Sequence, residues 1–169
     1  MEELGEIVFQ HFMTRSITTT LSKLSVAEAA YLAGLIDGDG CFFIEKIKKK
    51  NRKRELTGIF GYVPSLRVTN TNKFLAELCN QYGGFWITEV EKDTWKRVYR
   101  WILSTRLCKF YIPQLLPYLK IRYKQAQVML SALEECHGTG YPQNKVKMEQ
   151  YRKELQRLNM RGKKKGRLP

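Results

Sequence analysis

The sequence predicts an α+β domain built on a four-stranded antiparallel sheet. Three observations carry that expectation. Hydrophobic period switches, twice over, from a helix-like stretch to a pair of strand-like stretches. Polar, Gly-containing or strongly basic turns separate the elements. The length of 169 residues suits one hydrophobic core, with two small halves as the outer limit. A hydrophobic share of 43% and an aromatic share of 12% are those of a folded chain.

Taken in order, residues 6–13 can form a short helix, and Thr14 to Ser25 reads as a polar connector. Ser25 with Glu28 three residues later is a capping box, so a helix starts at Val26. It is expected to run to about Asp37, with Gly38 and Gly40 as C-terminal stops. Residues 41–49 (CFFIEKIKK) read as a strand, KKNRKREL as a basic turn, and residues 58–70 as a second strand. Pro64 lacks a ladder donor, so that strand is expected to bulge or lie at an edge there. Asn70 or Thr71 is expected to cap a helix over 72–82 with Phe74, Leu75 and Leu78 on one face. Residues 85–90 and 97–104 form a hairpin. Helices follow at 106–116, stopped by Pro117, at about 121–135, with Ala126, Met129, Leu130 and Leu133 inward, and at 143–158. Residues 1–25 are thus an N-terminal extension, 26–158 one domain, and 159–169 a basic tail of disordered composition.

Charge narrows the partner. Thirty Lys+Arg against sixteen Asp+Glu leave a formal +14, which a polyanion would neutralise. Nucleic acid is the leading candidate and an anionic membrane the second on charge alone. No apolar run approaches the roughly 20 residues of a membrane helix, so no membrane span is expected. The four cysteines are scattered and the two histidines far apart, which argues against a zinc site and for buried thiols in an intracellular protein. The start, Met1-Glu2-Glu3, is acidic and no signal-type core follows, so secretion is not expected.

The chemistry concentrates in Leu32-Ala33-Gly34-Leu35-Ile36-Asp37-Gly38-Asp39-Gly40. Ala30, Gly34 and Gly38 fall four residues apart, a helical face almost without side chains. Two such helices can approach closely, with Ala30, Ala33, Gly34 and Asp37 at the interface. Their ends would bring two Asp39 carboxylates and two negative helix C-termini together. Such crowding needs a cation, and hard oxygen donors with room for water suit Mg²⁺. The same residues also suit a tightly packed helix end whose aspartates are merely solvated, and pattern alone leaves both open.

The nine residues Leu32–Gly40 resemble the LAGLIDADG motif of homing endonucleases, spelled LAGLIDGDG here. The segment Leu116–Ala126 (LPYLKIRYKQA) resembles that before the last helices of the single-motif, homodimeric branch, and Val68-Thr69-Asn70 the end of that branch's second strand. The likeness spans about residues 26–135. It implies an α-β-β-α-β-β-α fold whose sheet forms a DNA-binding saddle, and a homodimer joined through the motif helices. It implies metal binding by Asp39 and the Gly38 carbonyl, with Mg²⁺ as cofactor and Mn²⁺ as a substitute. Asp37 matches a position that bonds the helix end. Arg122 stands where the family has a lysine, which favours electrostatic over base chemistry; Lys120 and Lys124 are close alternatives. Asn70 matches a water-positioning glutamine, one methylene shorter, although Asn is also a natural N-cap. Lys73 falls near a further basic position.

The implied activity is site-specific DNA cleavage leaving 3′ overhangs, because two adjoining sites reach both strands across the narrow minor groove. An intron RNA maturase or a noncatalytic DNA-binding regulator on the same scaffold are the alternatives, RNA being the partner only in the former. The implied location is inside the cell, with the genome that carries the host intron, in archaeal cytoplasm or an organelle. Readout would come from the strands. Cys41, Phe43, Glu45, Ile47 and Lys49 alternate onto one face, and Ser65, Arg67 and Thr69 form the matching set. Arg67 suits guanine, Glu45 cytosine, and Phe43 or Ile47 thymine methyls. Lys48, Lys49, Lys50, Arg52, Lys53 and Arg54 suit phosphates.

Overall fold

A computed structural model describes residues 21–50, 56–89, 97–137, 141–142 and 144–160. The expected helix at 6–13, most of the 14–25 connector, Arg52, Lys53, Arg54, the 91–96 turn and the 161–169 tail lie outside the described residues.

Helix α1 (Val26–Asp39) begins at Ser25, whose hydroxyl accepts from the Glu28 N–H while the Glu28 carboxylate accepts from the Ser25 N–H at 2.8 Å. Strand β1 (Gly40–Lys50) follows without a loop and pairs antiparallel with β2 (Leu56–Asn70). After α2 (Lys73–Asn80), β3 (Phe85–Glu89) and β4 (Val98–Leu103) complete one sheet in the order β1-β2-β4-β3. Then come α3 (Thr105–Leu115), a 3₁₀ turn (Leu116–Tyr118), α4 (Tyr123–Glu134), a short pairing of β5 (Cys136–His137) with β6 (Tyr141–Pro142), and α5 (Lys145–Asn159).

One face of the sheet is the core. Phe42, Ile44, Tyr62, Leu66, Val68, Trp101 and Leu103 are buried with Leu32, Ile36, Ile112, Leu115, Met129 and Leu133 from the helices. Trp101 satisfies its indole N–H on the Gly83 carbonyl at 2.8 Å, as a buried tryptophan must. Gly84 has φ +86°, and a Cβ there would stand 2.4 Å from the Ile102 carbonyl, so this entry into β3 admits only glycine. Although α5 is polar overall, Met148 and Leu155, two turns apart, anchor it in the core.

Several expectations change. The first helix does not stop at Asp37; it continues through Asp39, and Gly40 is extended at φ −80° rather than left-handed. Gly40 is required for another reason, since a Cβ would lie 2.5 Å from the Ile36 carbonyl at this abrupt junction. Pro64 causes no bulge: it sits in unbroken register opposite Ile44. On its other side β2 has run past the end of β4, whose pairing begins at Leu66, and the Pro64 carbonyl accepts the Thr105 hydroxyl at 2.9 Å instead. That is a local edge, where proline is tolerated. Asn72, not Asn70 or Thr71, caps α2, and Phe74 is 67% exposed. Helix α3 carries Pro113 in its last turn, and Pro117 lies within the 3₁₀ turn rather than ending the helix. Ile121 stays outside α4 and exposed, and Leu130 is only half-buried.

Candidate active site

Two carboxylates end α1. Asp37 accepts the Lys120 N–H at 2.7 Å and the Arg122 N–H at 2.8 Å, one on each oxygen. This ties the segment before α4 to the end of α1 and brings Lys120, Arg122 and Lys124 to that end of the molecule. Lys120 and Lys124 are exposed. Arg122 is half-buried, and its Nε is buried without a hydrogen-bond partner among the described residues. Asp37 was expected at a subunit interface as well, but both its oxygens are occupied within its own chain.

Asp39 is exposed, and Asn70 at the end of β2 donates to its Oδ2 at 2.7 Å. Asn70 is held on its other side, where its Oδ1 accepts the Asn72 N–H at 2.8 Å. That arrangement fixes the amide's direction and takes Asn70 away from the expected capping role. Asn72 caps α2 while Asn70 faces the acid. Carbonyls in the last helical turn have no intrahelical partner, so the Gly38 carbonyl and the Asp39 carboxylate form a set of hard oxygen donors that fits Mg²⁺ or a similar cation. The set is small: among the described residues no three His, Cys, Asp or Glu side chains gather into a metal site. The cysteines Cys41, Cys79, Cys108 and Cys136 are free thiols, and burial pushes Cys79 and Cys108 up to about 12.

On the outward side of α1, Ala27, Ala30, Tyr31, Gly34 and Gly38 are exposed. Among the described residues a Cβ at Gly34 or Gly38 would meet nothing within 4 Å, so their packing does not require glycine at either position. Ala33, expected on that outward stripe, is instead fully buried with Ala29 and Ile36. One residue turns a helix by about 100°, which carries position 33 from the outward side of Gly34 to the core.

The open face of the sheet carries Cys41, Phe43, Glu45 and Ile47 from β1, while Phe42 and Ile44 point inward. The β1–β2 register shifts between Lys48 and Lys50, so the alternation that was expected to place Lys49 on this face breaks at that point. Arg67 stacks its Cζ 3.6 Å from the Phe43 ring centre and donates to Glu45 at 2.9 Å. Thr69 accepts from Arg100 Nε at 3.4 Å. Ser65 departs from expectation: it shares the face with Phe43, its cross-strand partner, yet is only 5% exposed, a short side chain among longer neighbours. Lys73 is exposed and paired with Glu77 one turn on, at 2.8 Å. Lys46 lies on the other face, near Phe60 and Tyr62 and 3.6 Å from Glu149 of α5. Arg100 is the open-face residue that sequence reasoning missed. With Trp101 buried, alternation along β4 puts its neighbour opposite, beside Thr69.

Comparison with known proteins decides the family. The LAGLIDADG endonuclease profile matches residues 32–131, more than half of the chain. The chain belongs to the LAGLIDADG endonuclease family. Among solved structures, the homing endonuclease I-CvuI in complex with the I-CreI target is 19% identical, with a TM-score of 0.60 over 82% of this chain and 85% of that one. The archaeal intron-encoded homing endonuclease I-Vdi141I, complexed with DNA, is 16% identical, with a TM-score of 0.60 over 82% and 88% of the two chains. At such identities these likenesses establish the fold. Comparison with curated proteins gave no match. The match begins at Leu32, inside α1, so α1 carries the family's motif.

Proposed function

We propose that the chain is one half of a homodimeric homing endonuclease that makes a staggered double-strand break, with 3′ overhangs, in a long, roughly palindromic DNA site. The catalytic unit is residues 26–158. The observation that carries this reading is the exposed Asp39, held by the Asn70 amide at 2.7 Å while its neighbour Asp37 is fully occupied. A helix end that satisfied only itself would have no use for a second, open carboxylate.

One chain offers a single such carboxylate, so two copies are needed. Close packing along Ala30, Gly34 and Gly38 would bring both Asp39 side chains together, and glycines where a Cβ would meet nothing among the described residues support that contact. Asp39 and the Gly38 carbonyl would hold a divalent cation, Mg²⁺ with Mn²⁺ as substitute. That ion supplies Lewis-acid stabilisation of the phosphate and the leaving 3′ oxygen. The Asn70 amide, fixed at both ends, orients the attacking water. Arg122, with Lys120 and Lys124, neutralises charge building on the phosphate; its guanidinium stays protonated and does not serve as base.

The open face of the sheet reads the major groove through Glu45, Ile47, Arg67 and Thr69, with Arg100 added. Ser65 is too buried to take part. Lys73, Arg52 and Arg54 contact phosphates, and dimerisation doubles the +14 available for counterion release. No helix among the described residues is long and apolar enough to cross a membrane. The enzyme acts inside the cell, on the genome that holds its intron. Duplex DNA containing the intron-insertion junction, incubated with Mg²⁺, should be cut by the wild type and bound but uncut by Asp39→Asn. Equal cleavage by the variant, or blunt product ends, overturns the reading.

A further inference from the structure

Phe43, Glu45 and Arg67 form a unit on the open face that neither the core nor the catalytic residues use. In register Arg67 stands opposite Cys41, and Glu45 opposite Val63. The arginine therefore runs along β1 rather than across it, a backbone separation of about 13 Å at the usual rise per residue. It passes over Phe43, 3.6 Å from the ring centre, and Nη2 donates to Glu45 Oε2 at 2.9 Å. Both side chains reach solvent, with exposures of 29% for Arg67, whose Nε is buried, and 51% for Glu45.

An exposed ion pair of this kind adds little stability. What it offers is a donor and an acceptor side by side at hydrogen-bond spacing. The major-groove edge of a G·C pair offers the converse. Guanine O6 accepts and cytosine N4 donates, and an N–H···O bond of about 2.9 Å joins them. We infer that Arg67 and Glu45 read one G·C base pair together, Arg67 on guanine and Glu45 on the cytosine amine, with Phe43 setting the height of the guanidinium. The inference rests on the proposed function, in which this face meets the major groove.

The arithmetic of donors allows it. Nη2 carries two hydrogens, one for Glu45 and one for O6, so the ion pair and the base contact can form together. A T·A pair with thymine in guanine's place keeps the O4 acceptor and the N6 donor, but sets a methyl where N7 was. A reversed C·G pair turns an amine toward the guanidinium and a carbonyl toward the carboxylate. The expected order is therefore G·C, then T·A, with C·G rejected most strongly.

The test incubates the full chain with a pool of duplexes randomised over a long window, in Ca²⁺, and sequences the bound fraction. Wild type should select a symmetric motif with one such G·C pair per half-site. Glu45→Ala and Arg67→Met, each checked for an unchanged melting curve, should relax that same pair by about 5- to 150-fold and leave the other positions alone. The double variant should relax it no further than the stronger single one. Relaxation at two different base pairs, or at none, overturns the joint reading. Wild-type protein that selects no motif overturns the proposed function itself, a result distinct from either.

Discussion

Asp37 and Asp39 end the same helix two residues apart, which on an α-helix is about 200° of rotation, and their surroundings share almost nothing. Asp37 faces the chain's own 120–122 segment and accepts two backbone N–H groups. Asp39 faces solvent with one side-chain amide beside it. The same division runs along α1. Ala29, Leu32, Ala33 and Ile36 build the core, while Ala30, Gly34 and Gly38 are exposed and a Cβ at either glycine would meet nothing among the described residues. Identical side chains thus serve construction on one side and face solvent on the other, and helical phase alone assigns them.

Substitution at each acid breaks that comparison most sharply. Asp39→Asn keeps the shape and the Asn70 contact but removes the charge, so cleavage should fall by at least about 10²-fold, as for other lost transition-state contacts, with an unchanged unfolding curve. Asp37→Ala should do the opposite in stability, costing about 2–3 kcal/mol for two charge-assisted bonds to backbone donors, measured by urea unfolding. A stable Asp37→Ala protein, or an unfolded Asp39→Asn one, would show that the two acids are not divided in this way.

Next in size is the helix face. Gly34→Leu should leave a folded monomer that no longer forms a dimer in sedimentation. Gly34→Ala should raise monomer stability by up to about 1 kcal/mol, since alanine is the better helix former and meets nothing there. A loss of monomer stability in Gly34→Ala would mean that the outward face has an in-chain partner.

How much of this was legible depends on the range of the interaction. The Ser25–Glu28 box, the alternation of β1 and the motif's two acids are local patterns, and the structure follows them. Asn70 and Thr71 were the expected caps of α2, but Asn72 caps it while Asn70 bonds Asp39, a partner thirty-one residues away that no local pattern reveals. Ala33 was read onto the outward stripe because small residues look alike in a sequence. Ser65 has the right phase for the open face, but its burial depends on cross-strand neighbours. Arg100 joins the open face only through the β2–β4 pairing, which sets it opposite Thr69, thirty-one residues away in sequence. Strand phase was legible; what covers each side chain was not.

A third acid gives the smallest and most graded test of the comparison. Glu149 of α5 is occupied like Asp37, but by side chains: it accepts from the Tyr62 hydroxyl at 2.8 Å and from Arg152 at 2.6 and 3.1 Å. The Arg152 bonds lead in holding its carboxyl down, from 4.5 to about 2, with Tyr62 and Lys46 adding to the effect. A carboxylate depressed in the folded state contributes stability above its unfolded value and loses it as pH falls toward the folded one. The pinning of α5 to β1 and β2 should therefore weaken between pH 4.5 and about 2. Solvent reaches the pair, so the loss is about 1 kcal/mol. Urea unfolding at stepped pH should show a steeper decline for wild type than for Glu149→Gln across that window. Parallel curves would mean that packing of Met148 and Leu155, rather than the ion pairs, holds the helix in place.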